Sequence, residues 1–120
     1  MRIHYRFYNN SQLTPSGHFS GLLDGWKHGD ELTLAYEGIL DTGLALPSSQ
    51  AEELFRIFNE PGARPAGYRG PSMSVGDVIQ LVDTNQDFAV DRFGFREVRI
   101  QGAPMGARNP KWGRHSDFSA

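Results

Sequence analysis

The chain has no cysteine. That excludes disulfides and thiolate metal centres, and it fits a reducing compartment. Lysine is scarce as well: Lys27 and Lys111 are the only two among twelve cations, and the rest are arginine. No apolar run reaches the length a membrane span needs. The opening Met1-Arg2-Ile3-His4-Tyr5-Arg6 lacks the apolar core of a secretory signal. The expectation is a cytoplasmic protein with no membrane partner. Nucleophile elbows, Walker loops and helical histidine pairs are missing too. No cofactor or catalytic residue is therefore expected.

At 120 residues the chain has the size of one domain, large enough to bury a core without staples. Its charge is uneven. Residues 1–60 carry four cations against eight carboxylates, and residues 61–120 carry eight cations against six carboxylates. Arginine suits bidentate contacts with phosphate or carboxylate, although GC-rich coding also enriches it.

Alternation and aromatic content predict strands over 2–8 and 31–40. In the second, Leu32, Leu34 and Tyr36 are expected on one face, with Thr33, Ala35 and Glu37 on the other. Between them, Asn9-Asn10, Pro15 and repeated glycines predict a long loop whose Phe19, Leu22, Leu23 and Trp26 form a lid. A helix is expected from Ser49 to about Phe58. Ser49 and Glu52 have capping-box spacing, Glu52 and Glu53 complement the first turn, and Leu54, Phe55, Ile57 and Phe58 line an apolar face. Strands over Val78–Val82, Phe88–Val90 and Phe95–Ile100 make a meander. These elements predict an α+β domain over 1–100: a small, mostly antiparallel sheet with one main helix packed on it. A curled, barrel-like sheet is the alternative. Residues 101–120 are expected to be a flexible basic tail.

Asp83-Thr84-Asn85-Gln86-Asp87 opens like a calcium loop, but Phe88 and Gly94 stand where that loop needs glycine and glutamate. A polar hairpin turn is the better reading. His18 and His28 lie in the glycine-rich loop near Asp24 and Asp30, a pattern of solvated loop histidines rather than metal ligands. The Gly62–Ser72 loop carries Arg64, Tyr68, Arg69 and Ser72 among glycines whose amides can hold an anion, with Tyr68 able to stack on a base. The competing reading is a plain helix-to-strand connection with Tyr68 folded on the core. In the tail, Trp112 stands between Lys111 and Arg114, another pairing that suits nucleic acid.

The run Pro65–Ile79, followed by Phe88-Ala89-Val90-Asp91 and Gly94-Phe95, resembles the YodL-like domain family and small actinobacterial proteins related to it. The resemblance covers about residues 31–98. It implies an accessory protein encoded by mobile elements such as plasmids or phages, with no family catalytic residues to carry over. Physics explains the same motif locally. In Ser74-Val75-Gly76-Asp77 the glycine permits a positive backbone angle, and the carboxylate can accept turn amides.

These readings converge on a non-enzymatic accessory module that binds a protein partner. Its expected surface is the Arg64–Met73 loop together with the His18–Trp26 loop, and Arg92 and Arg96 are further candidates. The alternative is a nucleic-acid-binding protein using Arg64, Arg69, Arg92, Arg96, Arg99 and the tail. An enzyme assembled from distant His4, Asp77 and Asp91 is a third, lesser reading.

Overall fold

A computed structural model describes residues 1–100 and 110–115. Strand β1 (Arg2–Asn10) pairs with β2 (Leu32–Asp41), and a single helical turn, α1 (Gly21–Asp24), lies in the connection. Helix α2 (Pro47–Asn59) leads to the meander β3 (Val78–Leu81), β4 (Gln86–Asp91) and β5 (Gly94–Val98). The five strands form one antiparallel sheet in the order β2-β1-β3-β4-β5. The sheet is open, so the α+β reading holds and the barrel does not. No helix among the described residues is long and apolar enough to cross a membrane.

Helix α2 buries Gln50, Ala51, Leu54 and Phe58. That is one stripe at helical spacing, and it packs on the sheet face that carries Ile3, Tyr5, Phe7, Ile79, Leu81, Phe88 and Val90. Phe58 is the hub. Its ring lies edge-on to those of Phe7, Tyr36 and Tyr68, with centroids 4.9, 5.7 and 5.0 Å away, the arrangement aromatic quadrupoles favour. The opposite face holds a second cluster of Tyr8, Leu32, Leu34, Val78 and Ala89, joined by Trp26 and Ile100.

Two local expectations are corrected. The helix starts at Pro47, with Leu46 as an extended cap residue and no side-chain cap. Proline fits the first helical position because its missing N–H would be unsatisfied there anyway. Ser49 therefore lies inside the first turn, and no acidic residue occupies that turn. On β2, Tyr36 pairs with Phe7 but Leu34 pairs with Tyr8, so Ala35 is an extra residue in a bulge. The bulge reverses the alternation: Tyr36 joins the helix-side core, whereas Leu34 joins the opposite cluster.

Residues 110–115 run beside β2. The amides of Lys111, Trp112 and His115 donate to the carbonyls of Leu34, Ala35 and Glu37 at 2.9, 3.0 and 2.8 Å. This part of the expected tail thus covers the outer edge of β2 next to the bulge, which shields open backbone groups. The remainder of the tail, 101–109 and 116–120, lies outside the described residues.

Candidate functional site

The Ser74-Val75-Gly76-Asp77 turn enters β3 beside the end of β1, and it is tied there by side chains. Asp77, 5% exposed, accepts the Asn10 amide at 2.9 Å on Oδ1. Its Oδ2 accepts the Ser74 amide at 2.8 Å and Asn9 Nδ2 at 3.4 Å. Burial pushes the Asp77 carboxyl up to about 7, against the pull of those donors. Asn10 Nδ2 donates to the Gly76 carbonyl and to Asp30. Gly76 has φ +95, and a Cβ there would come within 2.6 Å of the Gly21 backbone. The α1 turn and the motif turn therefore touch backbone to backbone.

A cleft of about 230 Å³ opens above this junction. The first loop contributes Phe19, Gly21 and Leu22; the second contributes Pro71, Ser72, Ser74 and Val75. Asn9 and Asp77 line it from the sheet, and Lys111 and Trp112 line it from the segment beside β2. Phe19 and Leu22 are 52% and 55% exposed, unusual for large apolar side chains packed on a concave site. Lys111 Nζ sits 4.6 Å from the centroid of the Trp112 ring. Asn9 Oδ1 is buried and finds no hydrogen-bond partner among the described residues.

The residues picked out from the sequence fall into two groups. Arg64, Tyr68 and Ser72 form an internal brace. Arg64 donates to the carbonyls of Phe58 and Gly70 at 2.9 and 3.2 Å, and to Ser72 Oγ at 2.7 Å. Tyr68 is 6% exposed, its ring is part of the helix-side core, and its hydroxyl donates to the Pro71 carbonyl at 2.7 Å. Its ring is thus a core element and offers no open face for a base, as the plainer of the two sequence readings has it. Arg69 is exposed beside it. Ser72 alone of this group lines the cleft. Removing the brace should loosen the whole connection. Arg64→Ala is expected to lower stability by about 2 kcal/mol in urea denaturation, the scale of hydrogen bonds from a charged donor.

The second group lies at the other end of the motif turn. Arg92 and Arg96 line a separate recess with Asp24, Gly25, Val75, Asp91 and Phe93. Arg96 donates to Asp91 at 3.2 Å and to the Trp26 carbonyl at 2.8 Å. Trp26 is buried over the second cluster, and it is the lid residue that packs inward. Phe19 and Leu22 face solvent, and the Leu23 side chain lies outside the described residues. His4, Asp77 and Asp91 sit in three separate settings. His4 Nε2 meets Glu37 at 2.6 Å, Asp77 is beneath the cleft, and Asp91 holds Arg96. Glu37 also receives Arg6 at 3.0 Å. Burial raises its carboxyl, but the hydrogen bonds from His4 and Arg6 outweigh that and hold it below the ordinary range. Of the Asp83–Asp87 segment, Asp83 to Asn85 lie in the β3–β4 turn, with Asn85 at φ 54, and Gln86 and Asp87 open β4. Among the described residues no group of three or more histidines and carboxylates is placed to hold a metal.

Asn9 and Asn10 were not legible as site residues. An Asn-Asn pair before a glycine-rich stretch has the composition of a turn, yet both belong to β1 and pair with Thr33 and Leu32. The YodL-like domain family model matches residues 2–100. The match extends beyond the motif run to take in β1 and the first loop, so both walls of the cleft up to Asp77 fall inside it. No curated protein and no solved structure matches the chain. The chain belongs to the YodL-like domain family.

Proposed function

We propose that this YodL-like protein is a non-enzymatic accessory module that captures a protein partner in the cleft between its two loops. The observation that carries the reading is the rim. Phe19 and Leu22 leave about half of their surface in water, beside Pro71, Val75 and Trp112, around a concave floor. A cleft lined mainly by apolar side chains with a few polar groups is the pattern of a binding site, and aromatic and aliphatic side chains left exposed at its mouth suit the apolar core of a protein contact. The mobile-element setting implied by the resemblance belongs to the same reading.

The nucleic-acid alternative is less well supported. Phosphate binding needs several cationic heads facing one surface. Arg64 and Arg96 spend donors inside the fold, and the cleft floor presents a carboxylate.

The test is affinity capture by the tagged protein from the cells that encode it. Phe19→Asp and Leu22→Asp are each expected to lower recovery of the partner at least about tenfold, the cost of charging a desolvated contact. Leu46→Asp, 65% exposed ahead of α2, serves as the control and should leave recovery unchanged. Retained capture by both cleft variants would overturn the surface. A captured species that is nucleic acid, lost between about 50 and 200 mM salt, would overturn the partner class.

A further inference from the structure

We infer a second binding site, at the β2 edge of the sheet, for a small carboxylate with an apolar body whose oxygens take the hydroxyls of Tyr5 and Tyr36. It shares no lining residue with the cleft, so it stands apart from the protein-partner reading.

The two tyrosines argue first. Tyr5 follows Ile3 on the helix side of β1, and the bulge at Ala35 turns Tyr36 to the same side. They are 3% and 4% exposed, with ring centroids 6.2 Å apart. A buried tyrosine hydroxyl normally finds a partner, as Tyr68 does on the Pro71 carbonyl. The hydroxyls of Tyr5 and Tyr36 have none among the described residues, and neither oxygen is fully sealed off. Gly38 argues next. It stands opposite Tyr5 in the middle of β2, where glycine weakens a strand and marks a close approach. Its φ lies outside the left-handed region, so the backbone does not demand it. Space does. A Cβ there would come 2.7 Å from Tyr5 Oη and 2.7 Å from Tyr36 Cε2. The absent side chain leaves room for the polar end of Tyr5 and the ring edge of Tyr36, and both residues line a recess of about 340 Å³.

The lining selects the ligand. The volume falls in the roughly 300–1,000 Å³ range of small-molecule sites. Ile39, Leu40, Ile57, Ala63, Pro65 and Ala66 give apolar walls, and no carboxylate lines them. Arg114 supplies the one fixed charge, with His115 beside it. Glu37 holds Arg114 at 3.6 Å and Arg6 at 3.0 Å. One carboxylate therefore serves two arginines, and the balance at this edge is positive. Burial lifts both phenols above the ordinary tyrosine range, so they stay protonated and able to donate at neutral pH. Two neutral donors beside net positive charge favour an anionic acceptor. An amine would meet like charge, and an alcohol would bond the hydroxyls without gaining from Arg114.

The experiment titrates the full-length ¹⁵N-labelled protein with benzoate, benzyl alcohol and benzylamine, following amide shifts by NMR. Benzoate should shift and saturate the amides of Gly38, Ala63, Ala66 and His115 and leave those of Ser74 and Asp77 at the cleft unmoved. Benzyl alcohol should bind about tenfold more weakly, equivalent to about 1.4 kcal/mol, and benzylamine should give no saturable shift. Tyr5→Phe and Tyr36→Phe keep the ring and remove one hydroxyl, and each should weaken benzoate at least about fivefold. Because each hydroxyl lacks a partner inside the fold, its loss should leave the urea midpoint unchanged or raised. A lowered midpoint in both variants would show the hydroxyls spent on the fold itself and overturn the site. So would benzoate that moves no amide around the recess, equal affinity for the three probes, or benzoate affinity unaltered in both variants.

Discussion

Gly76→Ala should lower the stability of this domain by about 3 kcal/mol or more, a large share of the roughly 5–15 kcal/mol that holds a domain together. Two costs coincide there. A non-glycine residue at φ +95 carries about 1–3 kcal/mol of backbone strain. A Cβ would also press to 2.6 Å from Gly21 Cα and 2.9 Å from its carbonyl, atoms that are backbone and cannot rotate away. Relieving the contact means separating the α1 turn from the motif turn. That would stretch the bonds from Asn10 Nδ2 to the Gly76 carbonyl and from the Asn10 amide to Asp77 Oδ1. Gly17→Ala isolates the first cost, because Gly17 has φ +87 with nothing within 4 Å. Urea denaturation of the two variants separates angle from contact. A Gly76→Ala loss no larger than that of Gly17→Ala would show that the two turns are not locked by their backbones. Since those turns carry opposite walls of the cleft, Gly76→Ala should also lower partner recovery in the capture experiment under conditions where the variant remains folded.

The strands were readable because their burial is one-dimensional. Val78, Ile79 and Leu81 on β3 and Phe88 to Val90 on β4 are buried on interior strands of the sheet, with only half-buried Gln80 breaking the run, and a short, largely apolar run is what such strands require. β2 misled for a physical reason. Leu32, Leu34 and Tyr36 alternate as a strand with one apolar face should, yet the extra residue at Ala35 sends Leu34 and Tyr36 to opposite clusters. Both faces of the sheet are covered there, by α2 on one side and by Trp26 on the other. Apolar residues are therefore in place either way, and alternation carries no information about the bulge. The helix start was hidden similarly. Ser49 and Glu52 match a capping box, but Pro47 supplies a start two residues earlier, and the Gln50 side chain satisfies the Leu44 carbonyl ahead of it.

The candidate site was legible only in its loops. Glycine density marked both the His18–Trp26 and the Arg64–Met73 segments, and both border one cleft. What the sequence could not convey is which side chains are consumed in holding those loops. Arg64 and Tyr68 have the chemistry of a binding pair, and they spend it on the Phe58, Gly70 and Pro71 carbonyls. Asn9 and Asn10, read as turn formers, supply the floor. The distinction depends on tertiary distance: Asn10 and Asp77 are 67 positions apart and meet only because β1 lies next to β3.

The stability of the folded protein should fall as pH rises from about 4.5 to 7, the reverse of the trend that paired carboxylates give. The cause is Asp77. Its folded carboxyl titrates at about 7 because burial penalises the charged form, whereas the unfolded one titrates near 3.8. Between those values the folded state holds a proton that the unfolded state has released, so raising the pH favours unfolding. Each unit in that window is worth up to about 1.4 kcal/mol, giving a total on the order of 4 kcal/mol that is fully lost above about pH 7. Glu37 acts in the opposite sense at lower pH. Its carboxyl is held down by His4 and Arg6, so its contribution fades as acid protonates it, and a stability maximum is expected in the mildly acidic range. Urea midpoints measured from pH 4.5 to 8 test this, with Asp77→Asn expected to flatten the slope whatever its own stability. An amide there puts an N–H₂ against either the Asn10 or the Ser74 amide, so the variant will itself be weakened. Direct ¹³C titration of the Asp77 carboxyl in the unaltered protein keeps the claim testable. An inflection near 4 would refute it, as would a wild-type midpoint that rises steadily between pH 5 and 7.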